Sequence, residues 1–153
     1  RSLSSAASDV YKRQTLDNFL GSIQNELFDL GAELSTPQDG GHNSLSIVEK
    51  QVDRIEQEID QLNINLEPLR SFVLPGGTPA SSYLHLARTV IRRAERLMVQ
   101  LSLTENNSVS EIALKYVNRL SDLCFVAARY ANQTYQGGQG DTLWRPGETN
   151  NNK

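Results

Sequence analysis

Cysteine and histidine are nearly absent from this chain. Its 153 residues hold one cysteine, Cys124, and two histidines, His42 and His85. A lone cysteine excludes an internal disulfide framework and a cysteine-based zinc site. The two histidines stand too far apart in sequence to give a metal-ligand spacing. Long apolar runs are also missing, and the mean hydropathy is −0.45, so no membrane-spanning segment is expected. There is no basic excess: 15 Lys and Arg stand against 18 Asp and Glu, a net charge of −3. A dedicated nucleic-acid binder is usually basic overall. No glycine-rich loop runs into Lys-Ser or Lys-Thr, which excludes a P-loop. What is present is 38% hydrophobic and 22% charged residues, the composition of a soluble single domain. A chain of this size buries roughly 70% of its unfolded surface, enough for a core without staples. A reducing, cytoplasmic setting is expected.

Residues 1–14 (RSLSSAASDVYKRQ) carry no periodic pattern and no apolar core of a signal peptide. Their end resembles translated adapter sequence, so they are expected to be a non-native leader. The domain is then expected over 15–146 and a disordered tail over 147–153. From Thr15, a candidate cap, a first helix is predicted to about Leu34, with Leu16, Phe19, Leu20, Ile23, Leu27, Phe28 and Leu30 on its apolar side. Residues 35–46 are dense in turn formers and read as a loop. A second helix follows, in which Val48, Val52, Ile55, Ile59 and Leu62 repeat at four- and three-residue steps. A third is predicted from Pro79 to Leu103, with a seam of Leu84, Ala87, Ile91, Ala94, Met98 and Leu101. The fourth opens at Ser108 and Glu111, a capping-box pair, and runs to Asn132. Its apolar residues go nearly all round, so it belongs at the centre of a bundle or beneath a second subunit. Leu143, Trp144 and Pro146 suggest a tail that docks locally. The pattern is all-α, an up-down helical bundle of four helices.

The third helix holds the most informative polar residues. Arg88, Arg92 and Arg96 fall at steps of four and share one flank, with Arg93 further round. Like charges at that spacing cost roughly 0.2–0.5 kcal/mol per pair unless an anion neutralises them. Guanidinium groups grip phosphate oxygens in pairs, so the row is a candidate polyphosphate cradle. Charge runs on helices are nonetheless usually solvated faces with loose ion pairs, and spacing alone leaves both readings open. Glu95 can pair with Arg92 or contact Arg96. The Leu-Pro-Gly-Gly stretch ending at Gly77 makes a turn, or lets backbone donors approach a ligand. Phe72, just before it, is by type more often core than ligand contact. Asn118 is a polar amide on a helix buried on both sides and needs partners, which a ligand could supply. Asp122 can pair with Arg119 or Arg129. His85 has no evident nucleophile partner, and Cys124 reads as an inert small hydrophobe. Any reaction would therefore rest on positioning and electrostatics around a reactive cofactor.

Two blocks carry a resemblance: FVLPGGTPASSYLHLARTVIRRAERLMVQL (72–101) and KYVNRLSDLCFVAARYAN (115–132). With IQNELFDLGAEL (23–34) and GDTLWRPG (140–147) they resemble the signature blocks of the PduO-type corrinoid adenosyltransferases. The likeness covers nearly all of 16–146. It implies a five-helix bundle assembled as a homotrimer, with active sites between adjacent subunits. It implies transfer of the 5′-deoxyadenosyl group of ATP, with Mg²⁺, to the cobalt of cob(I)alamin. Adenosylcobalamin forms and triphosphate is released. The cobalt attacks the ribose 5′ carbon, and the reduced state is reached by holding cob(II)alamin without its lower axial ligand. By the same resemblance, Phe72 helps exclude that ligand on the corrinoid side. Arg92, Arg93 and Arg96 contact ATP together with Glu95, and Asn118 belongs to the nucleotide site. Arg88 reaches a subunit-interface salt bridge. Phe72, Arg88 and Arg92 are the expected catalytic set, and no protein-bound metal is implied.

The chain also departs from the family pattern. A Thr-rich Gly-Asp-x-Gly loop and a first helix ending in a DELN-like motif are expected at the start and are not found; the acid expected to pair with Arg88 across the interface belongs to that part, and Asp17, before the wrong helix, is not its match. The chain is therefore expected to hold four of five helices and half of the ATP site, and to be inactive as it stands. Val73 and Val117 replace the usual Ile and Leu, swaps a core tolerates. Two rival functions remain: a non-catalytic module that binds and delivers corrinoid or nucleotide, and a structural helical oligomer whose arginines bridge subunits.

Overall fold

The computed structural model describes residues 3–36, 45–104, 109–135 and 137–149. Four helices follow in order: α1 (Leu3–Ser35), α2 (Glu49–Asn63), α3 (Pro79–Thr104) and α4 (Glu111–Thr134). The sole extended pairing among the described residues is one antiparallel bridge, Val73 to Leu143.

α4 is the axis of the bundle, packed against α3, α2 and, more sparingly, α1. That explains its apolar residues on every side: Tyr116, Val117, Leu120, Leu123, Val126 and Ala127 are all buried. Each fully buried residue of the Leu or Val class stabilises the fold by about 1.5–3 kcal/mol. α2 buries Val52, Ile55 and Leu62 along the predicted stripe. α3 buries Leu84 and Met98 of its seam, with Ala87 and Ile91 half-buried, while Ala94 and Leu101 stay exposed.

α1 begins at Leu3 rather than Thr15. No proline interrupts residues 3–35, and Ala6, Ala7, Lys12, Arg13 and Gln14 are good helix formers. Thr15 is therefore internal, and its hydroxyl donates back to Tyr11 O at 3.1 Å. Leu16, Ile23 and Leu30, seven residues apart, form the buried line of α1. Phe28, expected on the apolar side, is 84% exposed, because its helical angle from Ile23 turns it away from that line.

The fourth helix starts two residues later than expected. Ser110 is its cap and accepts from Ala113 N at 3.0 Å; Ser108 lies outside the described residues. Glu33, near the end of α1, ties two junctions: it accepts from the Ser110 hydroxyl and from Ile47 N. Most of the predicted loop, 37–44, lies outside the described residues, as do 150–153 of the predicted tail. Residues 146–149 form a turn, spanned by an Arg145–Glu148 ion pair.

A polar group is buried where α1, α2 and α4 meet. Arg54 pairs with both Glu26 and Glu58, and Tyr116 Oη donates to Glu26 at 2.9 Å. Burial raises the Glu58 pKa against the pull of Arg54. Such a group stays stable only while every member keeps its partners.

Candidate functional site

The turn before α3 depends on one close approach. Gly77 has φ of 98°, which glycine adopts without steric cost. A Cβ at Gly77 would lie 2.2 Å from the Asn132 side-chain oxygen. That contact lets Asn132 Oδ1 accept from Thr78 N at 2.9 Å while Asn132 Nδ2 donates to Gly76 O at 3.0 Å. Thr78 Oγ1 in turn accepts from Ser81 N, capping α3. The Thr78 donor is thus used inside the protein, and the Leu-Pro-Gly-Gly stretch acts here as a turn.

Upstream of that turn, residues 71–74 pair with the C-terminal segment. Leu74 N donates to Thr142 O and Trp144 N to Phe72 O, both at 2.8 Å. The Phe72 and Trp144 rings meet edge-on, centroids 5.8 Å apart. Phe72 is 76% exposed, so it is not a core residue. It stands at an open cavity of about 810 Å³ whose wall includes Pro75, His85, Arg88, Phe125 and Trp144. Small-molecule sites typically span roughly 300–1,000 Å³.

Arg88 turns into this wall. Its guanidinium lies over the Phe125 ring, 4.6 Å from the centroid, and Nη1 donates to Ser121 O at 3.3 Å. His85 is buried beside it, edge-on to Phe125, and its Nε2 has no hydrogen-bond partner among the described residues. Burial and then the Arg88 charge lower the imidazole pKa, with Asp141 pulling the other way. The ring is therefore neutral at pH 7.

One to two turns further along α3, roughly 6–12 Å from Arg88, a second group assembles. Arg92 ion-pairs with Glu95, and the other Glu95 oxygen accepts from Asn118 Nδ2 at 2.8 Å. Arg96 Nη1 donates to Arg92 O at 3.2 Å. Arg92, Arg93 and Arg96 are exposed and Glu95 is half-buried. Glu95 thus couples α3 to α4, pins Arg92, and is the partner that the Asn118 amide needed.

The expected site residues fall into these two groups. Arg92, Arg93, Glu95, Arg96 and Asn118 share the second; Phe72 and Arg88 share the cavity. The arginines are not a uniform stack, because the Phe125 face and the Ser121 carbonyl draw Arg88 inward. Asp122 pairs with Arg119, whereas Arg129 binds Asp141 Oδ2 at 2.7 Å and Glu67 O at 2.6 Å. Burial pushes the Cys124 thiol up to about 11, so no reactive thiolate forms at neutral pH. The sequence reading missed His85 and Phe125 as cavity wall. No local signal marks them, since Phe125 reaches the site from α4 and His85 is recognisable only by its neighbours.

Comparison with known proteins bears on both groups. The Cobalamin adenosyltransferase family model matches residues 2–131. A corrinoid adenosyltransferase of Mycobacterium tuberculosis (strain ATCC 25618 / H37Rv) is 48% identical over 134 residues, which are 86% of this chain and 67% of that protein. The corrinoid adenosyltransferase of Bacillus subtilis (strain 168) is 41% identical over 120 residues, 78% of this chain and 59% of that protein. Among solved structures, a Phe-to-Ala variant of a PduO-type ATP:corrinoid adenosyltransferase from Lactobacillus reuteri, complexed with cobalamin and ATP, superposes with a TM-score of 0.77. It is 38% identical, and the match covers 92% of this chain and 82% of that one. An Arg-to-Lys variant of the Lactobacillus reuteri protein, complexed with ATP, gives a TM-score of 0.78 at 42% identity, covering 88% of this chain and 73% of that one.

Proposed function

The chain belongs to the cobalamin adenosyltransferase family, and from that premise we propose how its two groups divide the work of an alkyl-group transferase. The reaction is transfer of the 5′-deoxyadenosyl group from ATP to the cobalt of cob(I)alamin, with release of triphosphate. In this reading Arg92, Arg93 and Arg96 hold the triphosphate, and Glu95 keeps Arg92 in place. Asn118 fixes Glu95 and borders the nucleotide. The cavity at Phe72 receives the corrinoid, with Phe72 shaping the side of the cobalt's lower ligand and Arg88 setting the wall.

The observation that carries this is the Arg92–Glu95–Asn118 chain across α3 and α4. It presents exposed guanidinium groups on a helix whose preceding turns line the cavity. Each Glu95 oxygen already accepts from a protein group, and Mg²⁺, where it accompanies ATP, would supply further neutralisation of the phosphate charge. Among the described residues no group of three or more His, Cys, Asp and Glu is placed to hold a metal.

Assembly belongs to the same proposal. Tyr83, Leu86, Val90 and Leu97 on α3 are exposed, by 73%, 59%, 48% and 60%. Exposed apolar patches of this kind mark protein–protein contacts, and a homotrimer with sites between subunits would cover them. A cytoplasmic setting is proposed as well; no described helix is long and apolar enough to cross a membrane.

The test is Arg96→Ala, assayed with ATP, Mg²⁺ and cob(I)alamin in the longest reading frame that contains this chain. Losing one charged phosphate contact should lower kcat/KM by about ten- to a hundredfold. Unchanged kcat/KM would exclude the cradle. Corrinoid binding with no triphosphate release would point to a delivery module instead.

A further inference from the structure

We propose that residues 137–146 form a strap that sets the position of Phe72, with Arg129, Asp141 and Trp144 as its positioning residues. The inference rests on the corrinoid reading of the cavity.

The strap is fastened at its root by a desolvated ion pair. Arg129 is 6% exposed and comes from the last turns of α4. Its guanidinium binds Asp141 Oδ2 and Glu67 O. The other carboxylate oxygen of Asp141 is buried without a hydrogen-bond partner among the described residues, so Arg129 is the group that holds this side chain. A buried pair of this kind is little screened by salt. A second anchor lies just before it, where Gly140 N donates to Asn132 O at 3.0 Å.

Beyond Asp141 the strap pairs residue by residue with 71–74. Thr142 O accepts from Leu74 N, Leu143 bridges Val73, and Trp144 N donates to Phe72 O. Ser71 Oγ donates to Trp144 O at 2.7 Å. Antiparallel pairing fixes which face each side chain takes, and a slip of one residue would send Phe72 to the opposite face. The Phe72 ring is largely exposed, and its one ring contact among the described residues is the edge-on pairing with Trp144. Its position at the cavity is therefore set by the strap rather than by a core.

The test uses Asp141→Asn, Trp144→Ala and Trp144→Phe. In the free protein, the Leu74 amide should exchange hydrogen about tenfold faster in Asp141→Asn and Trp144→Ala than in the parent. Under anaerobic conditions with ATP present, equilibrium dialysis with cob(II)alamin should show about fivefold weaker binding in those two variants. ATP affinity measured by calorimetry should stay unchanged. Trp144→Phe should keep corrinoid affinity close to the parent's, because an aromatic edge remains. Trp144→Ala removes a surface side chain and keeps the test decisive if Asp141→Asn fails to fold. Parent-like Leu74 exchange in Trp144→Ala overturns the strap, as does parent-like corrinoid binding. A parent that binds no corrinoid defeats the functional reading instead, while the exchange experiment still judges the strap.

Discussion

α3 and α4 lie side by side, yet they are built for different tasks. α4 is buried along most of its length, from Ala113 to Asn132. α3 buries only Ser81, Leu84, His85 and Met98. The buried helix carries the free energy of folding, because apolar area removed from water is the main stabilising contribution. The exposed helix carries Arg92, Arg93 and Arg96, whose ion pairs in water contribute little to stability. Stability and the proposed nucleotide contacts are thus separated onto neighbouring helices, and Glu95–Asn118 is where the two helices are joined.

That separation can be broken or sharpened by substitution. The largest loss of stability is expected in the middle of α4: Leu120→Ala leaves a cavity and should cost about 2–5 kcal/mol in urea unfolding. Gly77→Ala comes next. Its Cβ would displace the Asn132 side chain from Thr78 and demand a strained φ, so a loss of about 1–3 kcal/mol is expected in urea unfolding. A neutral result there would mean that the turn adapts and does not position α3.

A smaller effect is expected at His85. Its folded pKa lies below the ordinary value of 6.5, so the unfolded chain takes up the proton first. Its contribution to stability is complete above pH 6.5 and is lost as the pH falls toward the folded value. Between about pH 7.5 and about pH 5.5, the melting temperature of the parent should therefore fall more than that of His85→Gln. Equal slopes would show that the imidazole is not held neutral by its surroundings. The smallest stability change belongs to the flank of α3. Arg92→Ala should shift unfolding by less than about 1 kcal/mol, while ATP affinity measured by calorimetry drops about tenfold. A large stability loss in Arg92→Ala would erase the distinction between the two helices.

Much of this was legible in the residues. The ends of α3 follow from Pro79 after two glycines and from the polar stretch beyond Thr104. The central place of α4 follows from an apolar pattern too broad for one face. The arginine row was legible as a row but not as a site. Spacing could not tell that Arg88 would turn onto Phe125 while Arg92 would be pinned by Glu95, since both choices depend on side chains that α4 brings up. The start of α1 was misplaced because Thr15 is as good a cap as it is an internal residue, and the propensity of the preceding turns decided the matter.

The sequence by itself determined the helical class, the extent of α2 and α3, and the supply of guanidinium groups, because these depend on neighbours three and four residues apart. Only the tertiary structure decided the two-part grouping of the candidate site residues. The cavity joins Phe72, His85, Phe125 and Trp144 from four separate stretches of chain, and the neutrality of His85 arises from burial beside Arg88. Contacts between distant segments and the desolvation they impose have no local periodicity, so no reading of spacing could have supplied them.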